Sequence, residues 1–240
     1  MSWQTAYQSA QGCVSWQGDC APAGEQLNGF LQGPVAARLN DAEGSVALTE
    51  HLRGLGLTGM GQEALAAVLE AHHDVVLPWN SERDKRNPFA SLPGADIVGF
   101  QRDGDSHCLA LGEVKCSSEA KWPPQVMSGR SGMIHQLDTL ASNLSTICQL
   151  LKWLLPRVKN TAHEAAFDAA CTRYFNSGNR DLALFGILVR DREAREEDLQ
   201  ARGRALAGRL RTPTRCCLIA LYLPWPLARL PEFVGPGGRA

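Results

Sequence analysis

Two apolar stretches on either side of a short turn are the strongest constraint on how this chain can fold. The first is residues 94–100 (GADIVGF), the second is residues 107–115 (HCLALGEVK), and residues 102–106 (RDGDS) lie between them. Apolar runs joined by such a segment are typical of a β-hairpin, because Gly and Asp readily adopt the backbone angles of tight turns. We therefore predict two adjacent antiparallel strands here.

The register of this hairpin determines which side chains share a face of the sheet. If residues 103–104 form the turn centre, Asp96 lies diagonal to Glu113; if residues 104–105 form it, Asp96 faces Glu113 directly. Both registers place the two carboxylates on one face, within roughly 5–8 Å, whereas a slip by one residue would separate them. Lys115 lies two residues beyond Glu113 and therefore points to the same side.

The apolar neighbours of these charges indicate a functional role. Leu109 and Leu111 precede Glu113 and Lys115 on the same predicted face, and charges on a partly buried face are unfavourable unless they are paired or bind a metal. The E-x-K triplet alone is uninformative, because residues 119–121 (EAK) repeat it in a segment without strand character. The alternative interpretation is a solvated surface hairpin.

With their surroundings, these residues resemble the PD-(D/E)XK nuclease superfamily, whose members share the restriction-endonuclease-like fold. The family pattern is an acidic residue that opens one strand, an acid-x-lysine on the next strand, and often a glutamate on a preceding helix. Asp96, Glu113 and Lys115 match the strand positions, and Glu63, in a predicted helix over residues 58–73, matches the helix position. One departure is that the family's proline does not directly precede the aspartate, because two residues intervene.

The resemblance implies a metal-dependent endo- or exonuclease that hydrolyses the phosphodiester bonds of DNA, with RNA as the less favoured substrate. It implies that Asp96, Glu113, the Val114 carbonyl and Glu63 bind Mg²⁺ or Mn²⁺, and hard oxygen ligands suit these ions. Lys115 would then orient the attacking water or stabilise the transition state.

Two of the candidate residues also have a purely structural interpretation. Glu63 lies near a helix start, where an acid interacts favourably with the helix dipole, so a capping role is as good an explanation as a metal role. Gln136 resembles the polar helix residue that often follows the lysine motif in these nucleases, whereas surface hydrogen bonding is its alternative role. The adjacent His135 is a further candidate acid or base, although histidines near helix starts usually have no such role.

The remaining pattern predicts an α/β fold, a central mixed β-sheet flanked by helices on both faces, as in the restriction-endonuclease-like core. The resemblance covers residues 58–190. Apolar spacing predicts the helices, and continuous or alternating apolar runs predict the strands. The predicted helices cover residues 58–73, 129–155, 161–175 and 193–210, and the further strands cover residues 75–79, 182–189 and 216–223. The run at 182–189 is apolar throughout, which is typical of a strand buried on both faces.

We divide the 240 residues into an N-terminal extension (1–57, irregular apart from one helix), a nuclease-like domain (58–225) and a C-terminal tail (226–240). No run of about 18 apolar residues is present, so we expect no membrane span. Eight cysteines without regular spacing indicate a reducing cytoplasm.

Charge is distributed unevenly along the chain, although the net charge is only −1. Residues 1–119 carry 7 basic and 15 acidic side chains, whereas residues 120–240 carry 17 and 10. The basic half is a candidate surface for a polyanion, and solvated helix ends with mixed charges are the equally good alternative.

The expected partners are DNA and a second protein. The G-x-G-x-x-G at residues 54–59 follows no predicted strand, so any ATP-driven step would need another chain, such as a helicase or an ATPase. By analogy, we expect the nuclease subunit of a bacterial anti-phage defence or DNA repair complex, or self-association. The alternative is a catalytically inactive nuclease-like scaffold that binds a partner protein or nucleic acid.

Overall fold

A seven-stranded mixed β-sheet organises the part of the chain that the computed structural model describes, residues 3–8, 13–18, 69, 73–78, 94–193, 195–222 and 226–227. The strand order is β1-β2-β7-β6-β5-β4-β3. The strands are β1 (Trp3–Gln8), β2 (Cys13–Gly18), β3 (Val75–Val76), β4 (Ile97–Asp103), β5 (Ser106–Ser117), β6 (Leu182–Arg190) and β7 (Arg215–Tyr222). Together with the helices described below, this sheet confirms the α/β class.

The centre of the sheet is parallel and its edges contain the antiparallel pairs. β5, β6 and β7 run parallel to one another, and β2 joins β7 in parallel. β5 pairs antiparallel with β4, β4 with β3, and β1 with β2. Every residue of β6 is buried, which confirms the prediction of a central strand from its continuous apolar run.

The helices are α1 (Met133–Ser142), α2 (Leu144–Val158), α3 (Glu164–Asn176) and α4 (Gln200–Ala207), with 3-10 turns at Gln125–Met127 and Glu196–Asp198. The prediction of one long helix over residues 129–155 is wrong, because the helix is interrupted at Asn143. This residue has extended backbone angles, φ −103° and ψ 94°, and its side chain accepts a hydrogen bond from the Thr146 N–H at 3.1 Å. An asparagine side chain that bonds to the nearby backbone favours a helix cap over a helix interior.

The charged helix predicted over residues 193–210 is shorter in the structure. A 3-10 turn precedes α4, and in that turn Asp198 is fully buried in an ion pair with Arg190 at the end of β6. This ion pair holds the 3-10 turn against the end of β6, so α4 begins only after it. The apolar periodicity of the sequence does not reveal such a contact.

Strands β1 and β2 correct the expectation of an irregular N-terminal segment. β2 lies along β7, with Cys13 opposite Cys216 and Gln17 opposite Ala220, and β1 forms the outer edge. Pairing with β2 satisfies the backbone groups that β7 would otherwise leave exposed at a sheet edge. At the other end of the chain, Leu227 is buried and its N–H donates to Asp191, so the described part of the predicted tail packs against the fold.

All four described α-helices pack against one face of the sheet, where they share a core with the apolar side chains of β4 to β7. The other face is also buried, and there His73, in helical conformation, packs its ring against Phe185 at a centroid distance of 5.6 Å. Both faces of the sheet are therefore covered. Among the described residues, none of the helices has the length and apolar character needed to cross a bilayer.

Candidate functional site

The β4–β5 hairpin places Asp96 directly opposite Glu113. Ile97 pairs with Gly112 and the turn centre is at residues 104–105, where Gly104 has a φ of +63° that an L side chain rarely adopts. Asp96 lies one residue before Ile97, so its position along the ladder corresponds to that of Glu113. Of the two registers that the sequence allows, the structure has the one in which the carboxylates face each other.

Short contacts connect the candidate residues to one another. The Val114 N–H donates to the Asp96 carboxylate at 3.0 Å, and the Lys115 ammonium donates to the Glu113 carboxylate at 2.6 Å. The side chains of Glu113 and Lys115 lie on the same face of β5 as Leu109 and Leu111, which belong to the core. Two acids and one ammonium group therefore meet where the apolar part of this face ends.

The electrostatics of the site are set by burial of Glu113, which is only 5% exposed. Burial, followed by the charge and hydrogen bonding of Asp96, raises the pKa of Glu113 to about 7, and Lys115 partly opposes this rise. Two neighbouring carboxylates resist simultaneous ionisation when the local positive charge is insufficient. The two carboxylates therefore outweigh the single Lys115 ammonium group, and an added cation would balance the remaining negative charge.

The donor atoms at this site suit a hard divalent cation. Asp96 and Glu113 provide carboxylate oxygens, and the Val114 carbonyl points to the same side of β5 as the Val114 N–H that contacts Asp96. Within the described ranges, no group of three or more His, Cys, Asp or Glu side chains is placed to hold a metal ion. Mg²⁺ is commonly held by one or two carboxylates and water, so the pair fits such an ion. Glu63, the further ligand expected from the sequence, lies outside the described residues.

Gln136 lies on the same face of the sheet as the two carboxylates. It is part of α1, whose Met133 and Leu137 pack over Gly186, and Gly186 faces Glu113 across β5 and β6. The Gln136 Oε1 atom is buried and has no hydrogen-bond partner among the described residues. The structural alternative for Gln136 is hydrogen bonding at the protein surface, and a buried Oε1 atom differs from that expectation. The neighbouring His135 is exposed.

Arg190 is a residue near the site that the sequence interpretation overlooked. It is fully buried at the end of β6, opposite Ser117, and donates to the Asp198 carboxylate. It also donates to the Lys121 carbonyl at 3.1 Å and to the Glu119 carbonyl. These bonds anchor the segment that follows β5, the strand that carries the acid and lysine motif. A charged residue that ends an otherwise apolar strand is the signal that was available in the sequence.

The functional interpretation of this site depends on its own geometry. A scan against protein-family models, a search of curated proteins and a search of solved structures each found no match to this chain. The site combines two facing carboxylates, one of them buried, with an ammonium group 2.6 Å from the buried one. Such a set can bind a hard cation and stabilise negative charge that develops on a phosphoryl group.

Proposed function

We propose that this protein is a metal-dependent endo- or exonuclease with a restriction-endonuclease-like core, which hydrolyses phosphodiester bonds of DNA. The observation that carries the proposal is the position of Asp96 opposite Glu113, with the Lys115 ammonium 2.6 Å from Glu113. The mixed sheet with helices, and a hairpin whose second strand lies beside the central β6, supports this fold assignment.

The chemistry follows from the residues at the hairpin. Asp96, Glu113 and the Val114 carbonyl would hold Mg²⁺ or Mn²⁺, with Glu63 as a further proposed ligand. When bound, such an ion neutralises charge on the scissile phosphate and acidifies a coordinated water. Lys115 contributes a compact ammonium with three donors, which orients the attacking water or stabilises the transition state. An arginine at this position should serve poorly, because its planar guanidinium cannot occupy the place of an ammonium.

A cleavage assay tests the proposal directly. Wild type and the variants Glu113→Ala and Lys115→Ala are incubated with plasmid and with linear oligonucleotides in the presence of Mg²⁺. We expect cleavage by wild type and a loss of about 10²-fold or more in each variant, the effect typical of removing one group that stabilises the transition state. Lys121→Ala is a matched control, because it alters the exposed lysine of the second E-x-K triplet. Equal rates in all four proteins would reject the mechanism.

One observation favours the second candidate function, an inactive nuclease-like scaffold. Only Asp96 and Glu113 come together at the hairpin within the described residues, and Lys115 already partly balances their charge. Calorimetric titration with Mn²⁺ separates the two functions. A nuclease should give a saturable binding signal in wild type and lose this signal in Glu113→Gln, whereas a scaffold should show no difference between the two proteins.

We also propose that the protein acts as the nuclease subunit of a cytoplasmic defence or repair complex. No P-loop occurs in the sequence, so an ATP-driven helicase or ATPase would be a separate chain. Six cysteines are free thiols, which suits a reducing compartment: Cys108, Cys116, Cys148, Cys171, Cys216 and Cys217. Affinity purification of the tagged protein from cells, followed by mass spectrometry, should recover an ATPase or further copies of the chain itself.

A further inference from the structure

An arginine-lined pocket lies on the helix-bearing face, away from the two carboxylates. Its volume is about 460 Å³, and it lies where the end of α1, the start of α2, the end of α3 and the loop before β7 meet. Three exposed arginines contribute to its lining, Arg180, Arg209 and Arg211. Asp138 is the one acid among the described residues that line it. We call this cavity the arginine pocket.

Positive charge dominates the arginine pocket. Arg209 lies 3.5 Å from the Asp138 carboxylate, so this acid offsets one of the three guanidinium groups. Arg180 donates through Nε to the Ser177 carbonyl at 3.3 Å, a neutral partner, and no acid of the described residues forms an ion pair with it. With Arg211, two positive charges remain in excess. Guanidinium groups bind phosphate oxygens well, because their donors match the geometry of the anion.

The lining favours a phosphate over a nucleobase. Proteins that hold single bases usually stack them on an exposed aromatic ring. The aromatic side chain of the arginine pocket is Tyr174, which is only 2% exposed and packs against the core. Among the described residues, the pocket therefore offers charge at its surface and no aromatic face for base stacking, which suits the backbone of a nucleic acid.

The position of the pocket relative to the carboxylates matches a continuous strand of nucleic acid. The pocket residues Arg180 and Thr214 lie just before the starts of β6 and β7. Glu113 lies further along the sheet, because it pairs with Gly186 on β6, and Gly186 pairs with Leu218 on β7. At about 3.3 Å per residue, the four to six intervening residues correspond to roughly 13–20 Å. This distance is about four to six base pairs of B-form DNA at 3.4 Å each.

We propose that the arginine pocket binds backbone phosphates of the same DNA whose scissile bond lies at Asp96 and Glu113. The inference rests on the proposed nuclease function and adds a second, sequence-independent contact to it. Phosphate contacts of this kind position a nucleic acid and set its register on the protein without reading bases. DNA with more than about six base pairs on one side of the cleaved bond reaches the arginine pocket, and shorter DNA does not.

The test is a DNA-binding titration in metal-free buffer, by fluorescence anisotropy at several salt concentrations. The combined variant Arg180→Gln, Arg209→Gln and Arg211→Gln should raise the Kd for a long duplex about fivefold or more, and should lower the salt slope by about 2–3, because each lost phosphate contact removes roughly 0.9. Asp138→Asn should have the opposite effect and tighten binding, since it removes the acid that offsets Arg209.

Matched controls lie elsewhere on the surface. Arg102→Gln on the hairpin and Arg202→Gln on α4 remove exposed arginines that are not part of the pocket lining. They should leave the Kd and the salt slope close to those of wild type. A duplex too short to reach the pocket should bind wild type and the combined variant equally well.

The outcomes distinguish the pocket from the nuclease function. If wild type binds and cleaves DNA but the combined variant behaves like the controls, the pocket proposal is wrong and the nuclease proposal stands. If binding depends on the pocket but no DNA is cleaved, the pocket proposal stands and the nuclease proposal is wrong. Absence of DNA binding by wild type overturns the pocket proposal. A mononucleotide or inorganic phosphate whose binding requires these arginines, while duplex binding does not, overturns it as well.

Discussion

Replacement of Glu113 by glutamine should remove a pH dependence that this buried carboxyl group imposes on folding. The side chain is 5% exposed, and burial, followed by the charge of Asp96, raises its pKa from an ordinary 4.5 to about 7. Glutamine keeps the size of the side chain and cannot ionise. The difference between the two proteins therefore isolates the contribution of the carboxyl group.

The direction of the effect follows from proton linkage. The folded state holds the Glu113 proton more tightly than the unfolded chain does, because its pKa is raised. The corresponding stability is fully present below pH 4.5 and is lost as the pH rises through about 7. At 1.36 kcal/mol for each tenfold change in proton affinity, the loss is about 3 kcal/mol. Typical domains have a free energy of unfolding of about 5–15 kcal/mol, so this change is readily measured.

Urea denaturation in metal-free buffer, followed by circular dichroism at a series of pH values, measures the effect. Between about pH 4.5 and pH 8, wild type should lose about 3 kcal/mol more than Glu113→Gln does. Glu197→Gln alters an exposed glutamate and should follow wild type. Parallel stability curves for wild type and Glu113→Gln would refute the reasoning, because the carboxyl group would then have the same proton affinity in both states.

Addition of Mn²⁺ extends the same experiment to the candidate metal site. An ion that binds the folded state alone stabilises it according to its concentration and affinity. It also compensates the repulsion between Asp96 and Glu113, so it should restore stability to wild type above pH 7, where that repulsion is greatest. Glu113→Gln should gain little from the ion.

Two further predictions concern the structure around the site. Gly186→Ala should destabilise the fold by about 1–3 kcal/mol, because its new β-carbon would lie 2.7–2.9 Å from three side chains of β7 and α1. Urea denaturation measures this loss. Gly208→Ala is the control and should be almost neutral, because the nearest atom to its new β-carbon would be 3.7 Å away. Arg190→Ala should cost about 3–5 kcal/mol, because it leaves the charge of Asp198 buried without its ion-pair partner. The double variant Arg190→Met with Asp198→Leu should recover part of this loss, and no recovery would contradict the ion-pair explanation.

Local patterns were sufficient to predict the elements that carry the site. The apolar runs on either side of Arg102–Ser106 predict the β4–β5 hairpin, since side-chain alternation and turn residues act over a few positions. The apolar run of β6 predicts its burial for the same reason. These patterns place Asp96, Glu113 and Lys115 on one face in either register, so the composition of the candidate site follows from the hairpin alone.

Other features depend on contacts between residues far apart in the chain. The sequences of β1 and β2 have no clear alternation. β2 pairs with β7, about 200 residues later in the chain, and β1 pairs with β2. The bonding of Arg190 likewise depends on Asp198 and on the segment after β5, whose carbonyl groups accept its hydrogen bonds.

The sequence by itself determined the chemistry at the hairpin, an acid pair with a lysine, because neighbours along a strand and across a tight turn are set by short-range geometry. Only the tertiary structure decided the register in which Asp96 faces Glu113, the burial that raises the pKa of Glu113 to about 7, and the arrangement of Arg180, Arg209 and Arg211 around one pocket. The physical reason is that burial and charge clustering depend on the whole packed chain, whereas alternation and turn chemistry depend on a few consecutive residues.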